Sequence, residues 1–186
     1  MSRVDILTKS ESSLWETDPL VFARLSVMCG GFEVDAAASD ENHLCDEYYT
    51  EEHDALSFQW PNKRIYCNLP WGRGVHSNVG DWLRVGHTAA KRGAPVVCFH
   101  VPVKSDQPWW HEWASKGHIL FVRGRLIFYI DGKPKLDKMG NVCSATFPSA
   151  FVIYQPGPDV GGEGQFSCSS ISFADEMKAA RARWSK

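Results

Sequence analysis

The sequence has no CxxC pair, no apolar run near the roughly 18 residues of a membrane span, and no internal repeat. Its first 30 residues hold no signal-peptide core, and its first 60 hold only 3 Lys and Arg against 13 Asp and Glu. These gaps exclude several classes. The six cysteines (29, 45, 67, 98, 143 and 168) are widely scattered, which argues against a zinc ribbon or a disulfide frame and for reduced thiols in a cytoplasmic protein with no membrane partner. His100, Asp106 and His111 have no spacing diagnostic of a metal site, so no metal is expected. With 186 residues, 44% hydrophobic and 23% charged, the chain is sized for one globular domain.

What is present is unevenly charged. Residues 61–186 hold 17 Lys and Arg against 9 Asp and Glu, so a chain of net charge −2 can still offer a basic face to a phosphate backbone. Solvated surface charge would give the same count.

Hydrophobic patterning predicts a helix over 19–28, opened by Thr17-Asp18-Pro19 and stopped by Gly30-Gly31. A strand over 32–38 runs into a carboxylate followed by small residues, and an acidic loop leads to a short strand over 64–68. A helix over 75–92, stopped by Gly93, precedes the clearest buried strand, 94–103. Then come a helix around 108–116, two strand-like runs over 118–130 broken at Arg123-Gly124-Arg125, a basic loop to 145 and a strand over 147–154. Residues 156–165 read as a linker, and Phe173, Met177, Ala180 and Trp184 share one face of a basic C-terminal helix. The alternation implies an α/β fold, with a sheet parallel in its middle and antiparallel at its edge. Ligands of such sheets bind beyond the carboxyl ends of the strands, near the switch in strand order. Asp35-Ala36-Ala37, Asn68-Leu69-Pro70-Trp71 and 102–106 all follow strands, so they are candidates to share that edge.

The stretch Asn68-Leu69-Pro70-Trp71 has two readings. It can be a turn capped by an aromatic, or a pocket that grips a flat base by its exocyclic amino group. The wider order of motifs bears on the choice. Trp15-x-Thr17-x-Pro19, VDAAASDEN at 34–42, Cys45, Tyr49-Thr50, Asp54-Ala55-Leu56, Trp60, Asn68-Leu69-Pro70-Trp71-Gly72, PVKSDQPWW at 102–110, Arg123-Gly124-Arg125-Leu126 and Phe147-Pro148-Ser149-Ala150 follow one another. That order resembles phage-type, Dam-like DNA N6-adenine methyltransferases over about residues 14–154.

The resemblance implies a compact, class I, Rossmann-like fold using S-adenosyl-L-methionine, with residues 1–155 as the methyltransferase domain and 156–186 as linker and helix. It implies a base grip at Asn68, Leu69, Pro70 and Trp71, with Leu69 standing where the family motif usually has its first proline. Trp15, Thr17, Asp35, Ala36, Ala37 and Asp54 are the implied cofactor residues, Asp35 with the alanines taking the place of a glycine-rich loop. Asp46 and Glu47 are candidates for the ribose hydroxyls. Arg73, Lys104, Arg123 and Arg125 are candidates for DNA contacts; for the two last, strand-edge charge is the competing reading. The Trp109-Trp110-Trp113 cluster reads as core or loop anchor. The implied partner is double-stranded DNA, bound by a monomer or homodimer, and the implied role is protection of phage DNA from restriction. N4-cytosine or RNA-adenine methylation, or a non-catalytic relict, are the competing functions.

Overall fold

The computed structural model describes residues 15–70, 78–162 and 165–184. Its strands are β1 (Glu16–Thr17), β2 (Val34–Asp35), β3 (Glu47–Tyr48), β4 (Arg64–Cys67), β5 (Val96–Pro102), β6 (His118–Arg123), β7 (Phe128–Ile130), β8 (Lys133–Pro134), β9 (Ser149–Tyr154) and β10 (Ser167–Ser172). Its helices are α1 (Pro19–Met28), α2 (Val79–Lys91), α3 (Pro108–Glu112) and α4 (Ala174–Trp184). The result is a mixed α/β architecture: a seven-stranded sheet in the order β10-β6-β9-β5-β4-β2-β3, and a three-stranded sheet β1-β7-β8.

Local chemistry explains the main elements. The Asp18 carboxylate accepts from Leu20 N at 2.8 Å, and Pro19 has the fixed φ a first turn needs, so α1 starts there. Asn78 and Asp81 exchange side-chain and backbone hydrogen bonds in a capping box, which starts α2 at Val79. Every residue of β5 is buried, as its unbroken apolar run requires. Helix α2 packs closely on it because Gly86 has no Cβ. A methyl there would lie 2.3 Å from the Phe99 ring.

Strands β3, β2, β4 and β5 run parallel. The antiparallel member is not at the edge of this sheet, as the sequence suggests, but inside it: β9 pairs with both β5 and β6. The chain path is the reason. After β6 the chain stays at the carboxyl edge through β7 and β8, so β9 must run back from that edge, and it fills the slot between its two neighbours. The chain then reaches the opposite edge, where Asp159 pairs with His87 and Lys91 of α2. From there β10 can only run parallel to β6.

The strand β10 is the element that sequence patterning misses between residues 155 and 173. Its Ser-Cys-Ser-Ser-Ile-Ser has little β propensity. Pairing supplies what propensity does not. The His118 ring nitrogens meet the hydroxyls of Ser167 and Ser169 at 2.8 and 2.7 Å, while Ile171 and Phe173 enter the core. Among the described residues all six cysteines are free thiols, and no helix is long and apolar enough to cross a membrane.

Candidate active site at the carboxyl edge

The parallel strands share a direction, so the segments following β2, β4, β5 and β6 emerge on one edge. Strand β2 has β3 on one side and β4 on the other, which makes the gap between β2 and β4 the switch in strand order. Asp35 ends β2, and Asn68 directly follows β4. In the register Asp35 lies opposite Tyr66, so Asn68 is two residues further on the adjacent strand, roughly 8 Å away between Cα atoms from strand geometry. The sheet thus brings the two candidates into one crevice.

The alternation of β4 puts Tyr66 and Asn68 on the same face, and both side chains reach the segment 15–17. Thr17 Oγ1 and the Tyr66 hydroxyl are 2.7 Å apart in a buried hydrogen bond. Asn68 Nδ2 donates to the Trp15 carbonyl at 2.6 Å. That bond fixes the amide's orientation, because a carbonyl can only face the NH2 side. The other end, Asn68 Oδ1, is buried and has no hydrogen-bond partner among the described residues. Buried acceptors are nearly always satisfied, and leaving one unpaired costs about 1–3 kcal/mol. An acceptor held this way is open to a donor from outside the described residues.

Trp15 is itself held by stacking on Phe128 (5.0 Å between centroids) and Phe147 (5.4 Å). Phe128 stacks in turn on His100, whose burial lowers its pKa to about 3 and keeps the ring neutral. Leu69 is fully buried and serves the core with its side chain, leaving only its backbone for the crevice. Pro70 is half-buried beside it, whereas Trp71 and Arg73 lie outside the described residues.

Asp35 is almost inaccessible. Its carboxylate accepts from Leu44 N at 3.1 Å and, at the long distance of 3.5 Å, from Ala37 N. Burial outweighs these donors and pushes its pKa up to about 7. The loop after it is tied down by backbone bonds, Ala36 N to Tyr66 O and Ala38 N to Tyr49 O, with Ala36 buried and Ala37 partly open. Thr17 is also buried, so its hydroxyl serves Tyr66 in the first place.

The remaining candidates are exposed or half-buried. Asp54 is exposed in a left-handed turn (φ 45°), and no hydrogen bond or ion pair joins its carboxylate to Asp35 or Asn68 among the described residues. Glu47 pairs with Lys63 and accepts from the Tyr49 hydroxyl at 3.2 Å, while Asp46 is exposed. Lys104, Arg123 and Arg125 are exposed at the carboxyl edge. Of the tryptophan cluster, Trp110 is buried against Phe121 and Trp113 accepts a hydrogen bond from the Tyr154 hydroxyl through its carbonyl, which are anchoring contacts.

Sequence reasoning does not find Tyr66, Phe128 or Phe147 as supports of the site. Tyr66 has a signal: its alternation with Asn68 in a strand ending at the crevice. Phe128 has none, since its contact with Trp15 depends on how β1 pairs with β7, and Phe147 has only its place in a matched motif, which does not show its contact with Trp15.

A buried carboxylate and an open amide acceptor at the switch point of an α/β sheet are what a site for a polar small molecule and an amino-bearing base would need. The family comparison agrees with that class. The chain belongs to the DNA N-6-adenine-methyltransferase (Dam) family, whose model matches residues 5–156. It is 28% identical to a DNA N-6-adenine-methyltransferase of Escherichia phage T1, over 66% of this chain. The match spans 59% of the phage protein's length.

Proposed function

We propose that the protein transfers a methyl group from S-adenosyl-L-methionine to the exocyclic N6 of adenine in double-stranded DNA, in the cytoplasm of a phage's host, and so protects phage DNA from restriction. The observation that supports this most is the buried Oδ1 of Asn68, without a hydrogen-bond partner among the described residues and with its amide oriented by the Trp15 carbonyl. Membership of the Dam family gives the same reaction. The sheet fits a class I methyltransferase fold: parallel β3, β2, β4 and β5, with one antiparallel strand inserted before β6.

The residues divide the work by their chemistry. When bound, the cofactor would supply an electrophilic methyl group. Asp35, Ala36 and Ala37 would hold it at the end of β2, with Trp15 and Thr17 closing one side; Asp54 would reach its adenosine end. The adenine amino nitrogen is a weak nucleophile because its lone pair is delocalised into the ring. Asn68 Oδ1 and a backbone carbonyl of Leu69 or Pro70 would accept its two hydrogens. That favours a tetrahedral nitrogen and stabilises positive charge as it develops there. Pro70 fixes φ and hence the direction of the carbonyl. Trp71 would stack on the base once it leaves the duplex, and Arg73, Lys104, Arg123 and Arg125 would meet backbone phosphates.

The test is incubation of the purified chain with methyl-labelled cofactor and unmethylated duplex, followed by nucleoside analysis. Label in N6-methyldeoxyadenosine is the expected result. Label in N4-methyldeoxycytidine or only in RNA would replace the substrate, and no transfer together with no cofactor binding would refute the reading.

A further inference from the structure

A second feature of the carboxyl edge lies away from the base grip. A cleft of about 370 Å³ opens between the turn that ends β6 and the face of α4. Arg123, Arg125, Ser144 and Arg181 line it, over buried Phe173 and Met177. Arg181 Nη2 donates to Ser144 Oγ at 2.7 Å. Arg123 and Arg125 have no carboxylate within ion-pair distance among the described residues. Gly124 between them has φ 92°, a conformation that favours glycine and sets the two arginines on either side of a tight turn.

The far wall is firmly built. Ile127 N donates to Met177 Sδ at 3.2 Å, Phe173 packs edge-on against Phe151, and Arg24 binds both the Ser172 carbonyl and the Glu176 carboxylate. Glu176 is thereby neutralised by Arg24. The match to the family stops at residue 156, so Phe173 and α4, which supply the floor and Arg181, lie outside it.

We propose that this cleft holds a backbone phosphate of the substrate DNA, which makes α4 part of the DNA-binding surface. The inference rests on the DNA-methylating reading. Guanidinium groups present planar, paired donors that match phosphate oxygens. The position fits a duplex whose target base is gripped at Asn68: β6 lies three strands from β4. Three inter-strand spacings are about 14 Å, which equals roughly four base-pair steps along B-DNA. Arg181 therefore joins Arg123 and Arg125 as a phosphate contact that the family match does not include.

The test uses the full chain, a labelled unmethylated duplex and binding measured over a series of salt concentrations. Arg181→Ala should weaken duplex binding about three- to tenfold at ~0.1 M salt and lower the salt slope by about 1. Arg181→Lys should recover most of the slope, and Arg123→Ala with Arg125→Ala should lower it further. Cofactor affinity should not change in any of them. Unchanged slope in both the Arg181→Ala and the double variant, with wild type still methylating DNA, would overturn the inference and leave the function standing. Parallel loss of cofactor and duplex affinity in Arg181→Ala would mark the arginine as structural and also overturn it. Displacement of duplex by inorganic phosphate at matched ionic strength would show a free-anion site and overturn it as well. A wild type that binds duplex through these arginines but transfers no methyl group would sink the proposed function and leave the cleft.

Discussion

Replacing Asp35 by Asn tests the crevice through its pH dependence. The native carboxyl holds its proton until about pH 7, because burial outweighs its two backbone donors. An unfolded chain releases it near pH 3.9. Between those values the native state binds the extra proton, so this group's contribution to stability is full below about pH 4 and is lost as pH rises to about 7. A shift of roughly three units corresponds to about 4 kcal/mol at most, less if the loop after β2 relaxes around the charge. The amide of the Asp35→Asn variant cannot ionise, but it keeps only one of the two acceptors that Leu44 N and Ala37 N use, a cost of about 1–3 kcal/mol. The absolute stabilities of the two proteins at one pH thus combine opposing effects. The difference between their pH profiles does not, since other titrating groups cancel. Urea unfolding at intervals from pH 5 to 8 should show wild type losing about 1–3 kcal/mol relative to Asp35→Asn over that range. Cofactor affinity should rise with pH in wild type, as a carboxylate becomes available to its ammonium and hydroxyl groups, and stay level in the variant. Parallel profiles would mean that Asp35 is already ionised at pH 5, and the buried acid assigned to this crevice would be wrong.

Three further substitutions follow from the packing around the site. Thr17→Val should cost about 1–3 kcal/mol, because it strands the buried Tyr66 hydroxyl, and combining it with Tyr66→Phe should cost less than the two separate losses added together, as read from denaturant midpoints. Gly86→Ala should destabilise by about 1–3 kcal/mol or more, since its Cβ would meet Phe99 at 2.3 Å; an unchanged melting temperature would show that α2 can move off β5. Trp71→Ala should weaken capture of the displaced base by about 1–3 kcal/mol, and Trp71→Phe should restore part of it, measured with duplexes carrying a mismatched target adenine.

Much of the site is legible in the sequence because strand ends in a parallel sheet are marked by local residues. Asp35 before three alanines and Asn68 before Leu69-Pro70 signal their strand ends directly, and strand direction then places both on one edge. Helix α1 is equally legible, since Asp18, Pro19 and Gly30 act within a few residues of themselves. What local pattern does not encode is pairing. The interior position of β9 depends on the edge at which the β7–β8 excursion leaves the chain. Strand β10 depends on His118 meeting serines 49 and 51 residues away. The contact between Asn68 and the Trp15 carbonyl spans 53 residues, so the orientation of the amide emerges only when β1 is laid across the sheet. The left-handed turn that leaves the Asp54 carboxylate exposed is likewise not encoded in its matched motif.

The central claim is that Asn68 Oδ1, which has no partner among the described residues, receives an amino hydrogen as charge develops on the adenine nitrogen. The most direct measurement is single-turnover methyl transfer to an unmethylated duplex by wild type and Asn68→Ala, with cofactor affinity and melting temperature measured on the same preparations. The account predicts that the variant transfers about 10²–10³ times more slowly, the effect of losing one oriented polar group, while it binds cofactor and melts nearly as wild type does. Equal transfer rates would contradict it, and would reduce the end of β4 to a turn.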